Sequence, residues 1–156
     1  MYEPPFLLIL SEIMDPHNLG AIIRSAEGCG AHGIIVPARR SAPLSSVVAK
    51  TSAGALEHMR IARVTNLAAA IDGLEKSGVW VYGAADGSAA LYTDTDLRGP
   101  LALVIGNEGA GIGKLVREKC DGLVRIPMVG SVSSLNASVA AGVLLYEALR
   151  QRNLRT

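Results

Sequence analysis

Two uninterrupted apolar runs constrain this chain more than any other feature: Phe6-Leu7-Leu8-Ile9-Leu10, which stops at Ser11-Glu12, and Leu101-Ala102-Leu103-Val104-Ile105, which runs straight into a Gly-rich loop. Each is too short for a stable helix and far short of the roughly 20 residues that span a membrane. Runs of this length suit strands buried on both faces of a parallel sheet. After the first run and a loop from Glu12 to His17, Leu19, Ile22, Ile23 and Ala26 recur at helical spacing until Gly28 and Gly30 supply a stop. Gly33-Ile34-Ile35-Val36 then reads as a strand, which completes a βαβ unit.

Further along, Ser45 to Thr51 reads as a short helix and Arg60 to Val64 as a strand, and Asn66 caps a helix ending near Lys76. Val79 to Ala84 is a strand, and Asp86-Gly87-Ser88 and Thr93 to Asp96 are polar turns. A short helix from Lys114 to Lys119, a strand from Gly122 to Ile126 and a long helix from Asn136 to about Gln151 follow. Alternating strands and helices specify an α/β fold, a mostly parallel sheet with helices on both faces. In the last helix, Ala137 to Leu145 is apolar almost all round, so it must be buried, and in so small a domain that points to a subunit interface. Arg150 and Arg152 at its end complement the helix dipole.

At 156 residues the chain is expected to be a single domain, 1–156. Only 4% of it is aromatic, so the core is Ala, Val, Ile and Leu, and an aromatic platform for stacking single-stranded bases is disfavoured. A net charge of +1 requires any nucleic-acid partner to be held by a local patch, for which Arg39, Arg40, Lys50, Arg60 and Arg63 are the candidates. Cys29 and Cys120 have no metal-ligand spacing, the three His form none either, and no metal is expected. With no signal-like or membrane-spanning run, the expected location is the cytoplasm.

Ligands of open parallel sheets bind beyond the carboxyl ends of strands, and three segments occupy such positions. In Asp15-Pro16-His17-Asn18-Leu19-Gly20, Asn18 can be a helix cap, and Arg24 lies off the apolar stripe and points away from the core. In Gly106-Asn107-Glu108-Gly109-Ala110-Gly111 the glycine order fits neither a dinucleotide fingerprint nor a P-loop. Glu108 would repel a phosphate and suits a cationic ligand or an arginine needing a fixed orientation. Ile126-Pro127-Met128, followed by Val129 to Asn136, offers exposed backbone groups for a base edge, with Ile126, Met128 and Leu135 to pack against its rings. Ser134 or Asn136 can equally be a helix cap.

Asn18-Leu19-Gly20-Ala21-Ile22-Ile23-Arg24-Ser25-Ala26, Ile105-Gly106-Asn107-Glu108-Gly109, and Ile126-Pro127-Met128 with Ser134-Leu135-Asn136-Ala137-Ser138-Val139-Ala140 resemble, in order and spacing, the three motifs of the SpoU (TrmH) family of RNA ribose 2′-O-methyltransferases. The likeness covers essentially the whole chain. It implies an α/β-knot, with the C-terminal segment threaded into a deep trefoil knot, an obligate homodimer, and S-adenosylmethionine as cofactor with S-adenosylhomocysteine as product. By motif, Gly106, Ile126, Met128 and Leu135 are the implied cofactor contacts, and Asn18, Arg24, Glu108, Ser134 and Asn136 the implied active-site set. Arg24 is the residue the resemblance nominates to take the ribose 2′-hydroxyl proton. Since guanidinium groups stay protonated in proteins, the role expected here is to orient the target phosphate or stabilise the developing alkoxide. Glu108 is expected to fix Arg24, and Asn18 and Asn136 to hold the constellation together.

Gly130-Ser131-Val132-Ser133-Ser134-Leu135-Asn136 with Leu144-Leu145-Tyr146-Glu147 looks most like the RlmB-like branch, which implies a guanosine ribose of large-subunit ribosomal RNA as substrate, transfer RNA being the alternative and DNA not expected. Many relatives carry a small N-terminal RNA-binding domain, and this chain begins almost at its first strand. Two other classes compete: a non-catalytic RNA-binding or ribosome-assembly module of the same fold, and a nucleotide-dependent oxidoreductase. The joint presence of Asn18, Arg24, Glu108 and Asn136 disfavours the first, and the glycine order and Glu108 disfavour the second.

Overall fold

The computed structural model of the chain describes residues 3–87 and 89–153, so Ser88, read as turn material, lies outside the described residues. The strands are β1 (Phe6–Ser11), β2 (Gly33–Pro37), β3 (Ile61–Val64), β4 (Trp80–Ala84), β5 (Ala90–Leu91), β6 (Leu101–Gly106) and β7 (Gly122–Arg125). The helices are α1 (Pro16–Gly28), α2 (Ser46–Thr51), α3 (Leu67–Lys76), α4 (Lys114–Lys119) and α5 (Ala137–Asn153). The strands form one seven-stranded sheet in the order β3-β2-β1-β6-β4-β7-β5. Every pairing in it is parallel.

Successive residues of β1 point to opposite faces, as strand geometry requires. Phe6, Leu8 and Leu10 join Leu101, Leu103 and Ile105 of β6 in the larger core, under α1 and α5. Ile9 joins Ala102, Val104 and Val81 in the smaller one, under α3. Both central runs are therefore apolar throughout because both of their faces are covered. The α1–α2 contact depends on Gly20, where a Cβ would lie 1.8 Å from Thr51 Oγ1.

Pairing of β1 with β6 is unbroken from Phe6↔Leu101 to Ser11↔Gly106. The chain leaves β1 toward β2 on one side, and leaves β6 toward β7 on the other. The carboxyl ends of β1 and β6 are thus the point where the strand order reverses, the place in an open parallel sheet where a crevice forms.

Asp15 caps α1, its carboxylate accepting from the His17 N–H at 2.8 Å with Pro16 in the first turn. The helix starts before Asn18, which is therefore not its cap. In α5, Ala137, Ala141, Leu144, Leu145 and Ala148 are buried while Val139 and Tyr146 are about half exposed. Within one chain, then, only part of this apolar helix is covered, against the all-round burial its sequence predicts. Arg152 also does more than face the helix dipole. It donates to the carbonyls of Gly99 and Pro4, and its guanidinium carbon stands 4.9 Å from the Phe6 ring centroid, tying the last helix to the first strand. The two-residue β5 lies between the two segments read from sequence as turns, and the 3-10 turn Tyr92–Asp94 overlaps the second of them. No described helix is long and apolar enough to cross a membrane.

Candidate active site

The loop after β6 closes on itself. Asn107 and Gly111 exchange backbone hydrogen bonds at 3.1 and 2.7 Å, and the Asn107 side-chain oxygen accepts from the N–H groups of Gly109 and Ala110. Gly106 makes this closure possible: a Cβ there would stand 2.2 Å from the Gly111 carbonyl oxygen and 2.5 Å from the Ile112 nitrogen. Gly111 at φ +68° and Gly113 at φ +83° complete the turn in the left-handed region. The result is a hydrogen-bonded, closed loop that carries Glu108.

From there Glu108 reaches two other segments. Its Oε1 accepts from Asn18 Nδ2 at 3.0 Å and from the Ala137 N–H, at the start of α5, at 3.1 Å. The Asn18 side-chain oxygen in turn accepts from Asn136 Nδ2 at 3.1 Å. Asn136 Oδ1 accepts from the N–H groups of Ser138 and Val139 and from the Ser138 hydroxyl, so Asn136 caps α5 with its oxygen and holds Asn18 with its nitrogen. One polar ring thereby joins the first turn of α1 and the loop after β6 to the start of α5, and the α5 dipole favours a carboxylate at that point.

Beside the ring lies a cavity of about 450 Å³. Its apolar wall is Ile105, Val124, Ile126, Leu135, Ala137 and Ala140, its polar groups include Asp86, Glu108, Lys114 and Arg117, and Gly106, Met128 and Ser134 also line it. All four residues nominated for cofactor contact are on its wall, with Glu108 and Ser134 of the active-site set. Asn18 and Asn136 adjoin it through the ring.

Arg24 stands apart. It is exposed on α1, does not line the cavity, and no hydrogen bond or ion pair joins it to Glu108 among the described residues. The expected Glu108–Arg24 bond is replaced by Glu108 holding Asn18 and Ala137. Sequence reasoning overlooked Asp86, Lys114 and Arg117. The available signal was position, since Asp86 follows the carboxyl end of β4 just as Glu108 follows that of β6. Among the described residues no group of three or more His, Cys, Asp or Glu is placed to hold a metal.

Comparison with known proteins agrees with this geometry. Residues 5–146 match the SpoU rRNA Methylase family. RlmB of Yersinia pestis, a 23S rRNA (guanosine-2′-O-)-methyltransferase, is 49% identical over 153 residues, which are 98% of this chain and 62% of that protein. YacO of Bacillus subtilis, named for the TrmH family of tRNA/rRNA methyltransferases, is 54% identical over 97% of this chain and 61% of its own length. This chain thus spans about three fifths of these relatives. The crystal structure of the SpoU methyltransferase AviRb from Streptomyces viridochromogenes, in complex with AdoMet, superposes with a TM-score of 0.88 at 36% identity over 97% of this chain and 62% of that one. With its three motifs meeting around one cavity, this chain belongs to the SpoU rRNA methylase family.

Proposed function

We propose that the chain carries the catalytic part of an S-adenosylmethionine-dependent RNA ribose 2′-O-methyltransferase, acting on a guanosine of large-subunit ribosomal RNA. The observation that carries the reading is the polar ring of Asn18, Glu108 and Asn136 at the rim of a cavity whose wall suits that cofactor. Ile126 and Leu135 would pack the adenine and the Met128 backbone would meet its edge. Carboxylates at Asp86 and Glu108 complement a sulfonium and an ammonium, and Lys114 and Arg117 complement a carboxylate. The bound cofactor supplies an electrophilic methyl group.

Placing the ribose 2′-oxygen in line then becomes the protein's main task. The ring fixes the rim where that oxygen must lie, and Ser134, on the cavity wall, offers it a hydroxyl partner. Arg24, exposed on α1, orients the target phosphate from outside the cavity or stabilises the developing alkoxide. As a permanent cation it is suited to either role and not to removing a proton.

The ribosomal substrate is favoured over transfer RNA by identity near 50% to proteins named RlmB, while YacO is named for both RNA classes. We further infer a homodimer and a threaded C-terminal segment. The large hydrophobic side chains of Val139 and Tyr146, half exposed on α5, support the first. The path of the chain supports the second: after β7 it returns past the closed 106–113 loop, so that Asn136 reaches Asn18.

Transfer of labelled methyl from S-adenosylmethionine to unmodified total RNA, separated into small rRNA, large rRNA and transfer RNA, tests the reading. Label is expected in large rRNA. Label in transfer RNA alone overturns the substrate, and label in no fraction overturns the activity of this chain.

A further inference from the structure

A second groove, of about 730 Å³, opens at the same end of the sheet on the other side of the 106–113 loop, beyond the carboxyl ends of β1, β2 and β3. Leu67, Ile112 and Val116 form an apolar floor, and Arg39, Arg40 and Lys114 stand around it against one carboxylate, Glu12. In a chain of net charge +1, this is a local excess of positive charge that the composition does not announce. Arg60, which the sequence grouped with Arg39 and Arg40, precedes β3 at the opposite end of the sheet.

Two features show that the groove is built. Glu12 and Arg40 form an ion pair across it, and both hold φ near +59°, a left-handed conformation uncommon for residues other than glycine. The Ser11 hydroxyl donates to the Ile112 carbonyl at 3.3 Å, fixing the end of β1 to the segment 112–114 that lines both this groove and the cofactor cavity. Whatever occupies the groove therefore lies one wall away from the proposed methyl donor. Arg39 and Lys114 have no ion-pair partner among the described residues.

We propose that this groove is an RNA subsite, holding a nucleotide adjacent to the one whose ribose is methylated. Its phosphate lies against Arg39 and Lys114 and its base against Leu67 and Ile112. Glu12 weakens the site by keeping Arg40 engaged. The proposal rests on the reading of the chain as an RNA methyltransferase. An RNA strand with one ribose at the Asn18–Glu108 ring has to continue over the ends of neighbouring strands, and on the β1–β2 side it meets this groove.

The test measures binding, so it does not depend on catalysis. Affinity for a fluorescein-labelled single-stranded oligoribonucleotide copied from large rRNA is followed across a salt series for the wild-type chain, Arg39→Ala and Glu12→Gln. Arg39→Ala should weaken binding about 5- to 10-fold and reduce the slope of log K against log salt by about 0.7, the value for one phosphate contact on a single strand. Glu12→Gln should shift affinity the other way, tightening it about 3-fold, a change that loss of folding would not produce. Affinity for S-adenosylhomocysteine should stay as in wild type in both. Unchanged RNA affinity in both variants, or no RNA binding by the wild type, overturns the proposal. Arg39-dependent RNA binding without methyl transfer upholds the groove and overturns the enzymatic reading instead.

Discussion

Asn18 and Glu108, separated by 90 residues in the chain, are joined by a 3.0 Å hydrogen bond because β1 and β6 lie side by side with their ends in register. The bond spans the point where the strand order reverses. The same Glu108 oxygen holds the first N–H of α5, so the three sequence motifs converge on one carboxylate.

That convergence predicts a division of effects. Asn18→Ala breaks the ring without touching the cavity wall, so kcat for methyl transfer should fall on the order of 100-fold while affinity for S-adenosylhomocysteine changes little. Glu108→Ala also leaves the Ala137 N–H unsatisfied and should cost about 1 kcal/mol of stability besides. Calorimetric titration and denaturant unfolding separate the two variants.

Arg24→Ala should abolish methyl transfer while cofactor affinity is kept, because Arg24 does not line the cavity. Steady-state kinetics alongside a binding titration provide the check. Retained turnover would remove Arg24 from both the proton-transfer and the positioning roles.

Gly106→Ala tests the loop. The added methyl would meet Gly111 and Ile112 backbone atoms that cannot swing aside, so the closed turn must open. A loss of stability of about 1–3 kcal/mol is expected, together with loss of S-adenosylhomocysteine binding, since the loop is part of the cavity wall.

The cysteines give a prediction in pH. Burial pushes the Cys29 thiol up to about 11 and the Cys120 thiol up to about 12. Native protein should therefore resist iodoacetamide at pH 8, where thiolate is scarce. The sign for stability follows: the folded state holds its thiol protons longer than the unfolded state, so stability is complete below pH 9 and declines as pH rises toward 11. For Cys29 the loss over that window is on the order of 2 kcal/mol. The stability of wild type relative to Cys29→Ala, from unfolding curves at pH 8 to 11, should fall accordingly as pH rises.

Much of this architecture is legible in the sequence, and the exceptions have physical reasons. The runs at Phe6 and Leu101 could be assigned because strands buried on both faces leave no polar position to confuse the period. Asn66 is identifiable as the cap of α3 because it directly precedes the apolar helical stretch, and its side-chain oxygen accepts from the Ala69 N–H. At α1, Asp15 and Asn18 are equally good caps by residue type, and only the structure shows that Asp15 serves, which frees Asn18 for the ring. Two residues of β5 carry no periodicity at all. The resemblance put Arg24 and Glu108 in one active-site set, yet contact between two side chains depends on helix phase and loop closure, which motif order does not encode. Gly106 shows the same limit. Its motif marks it as a cofactor residue, and it does line the cavity, but motif order does not show that its missing side chain is also required by the backbone of its own loop.

The most direct test of the account is the identity of the methylated nucleoside. After transfer of labelled methyl to large rRNA, complete digestion and chromatography should place the label in 2′-O-methylguanosine, and Asn18→Ala should slow its appearance on the order of 100-fold. Label in a base-methylated nucleoside, or no label from a chain that still binds S-adenosylhomocysteine, would contradict it.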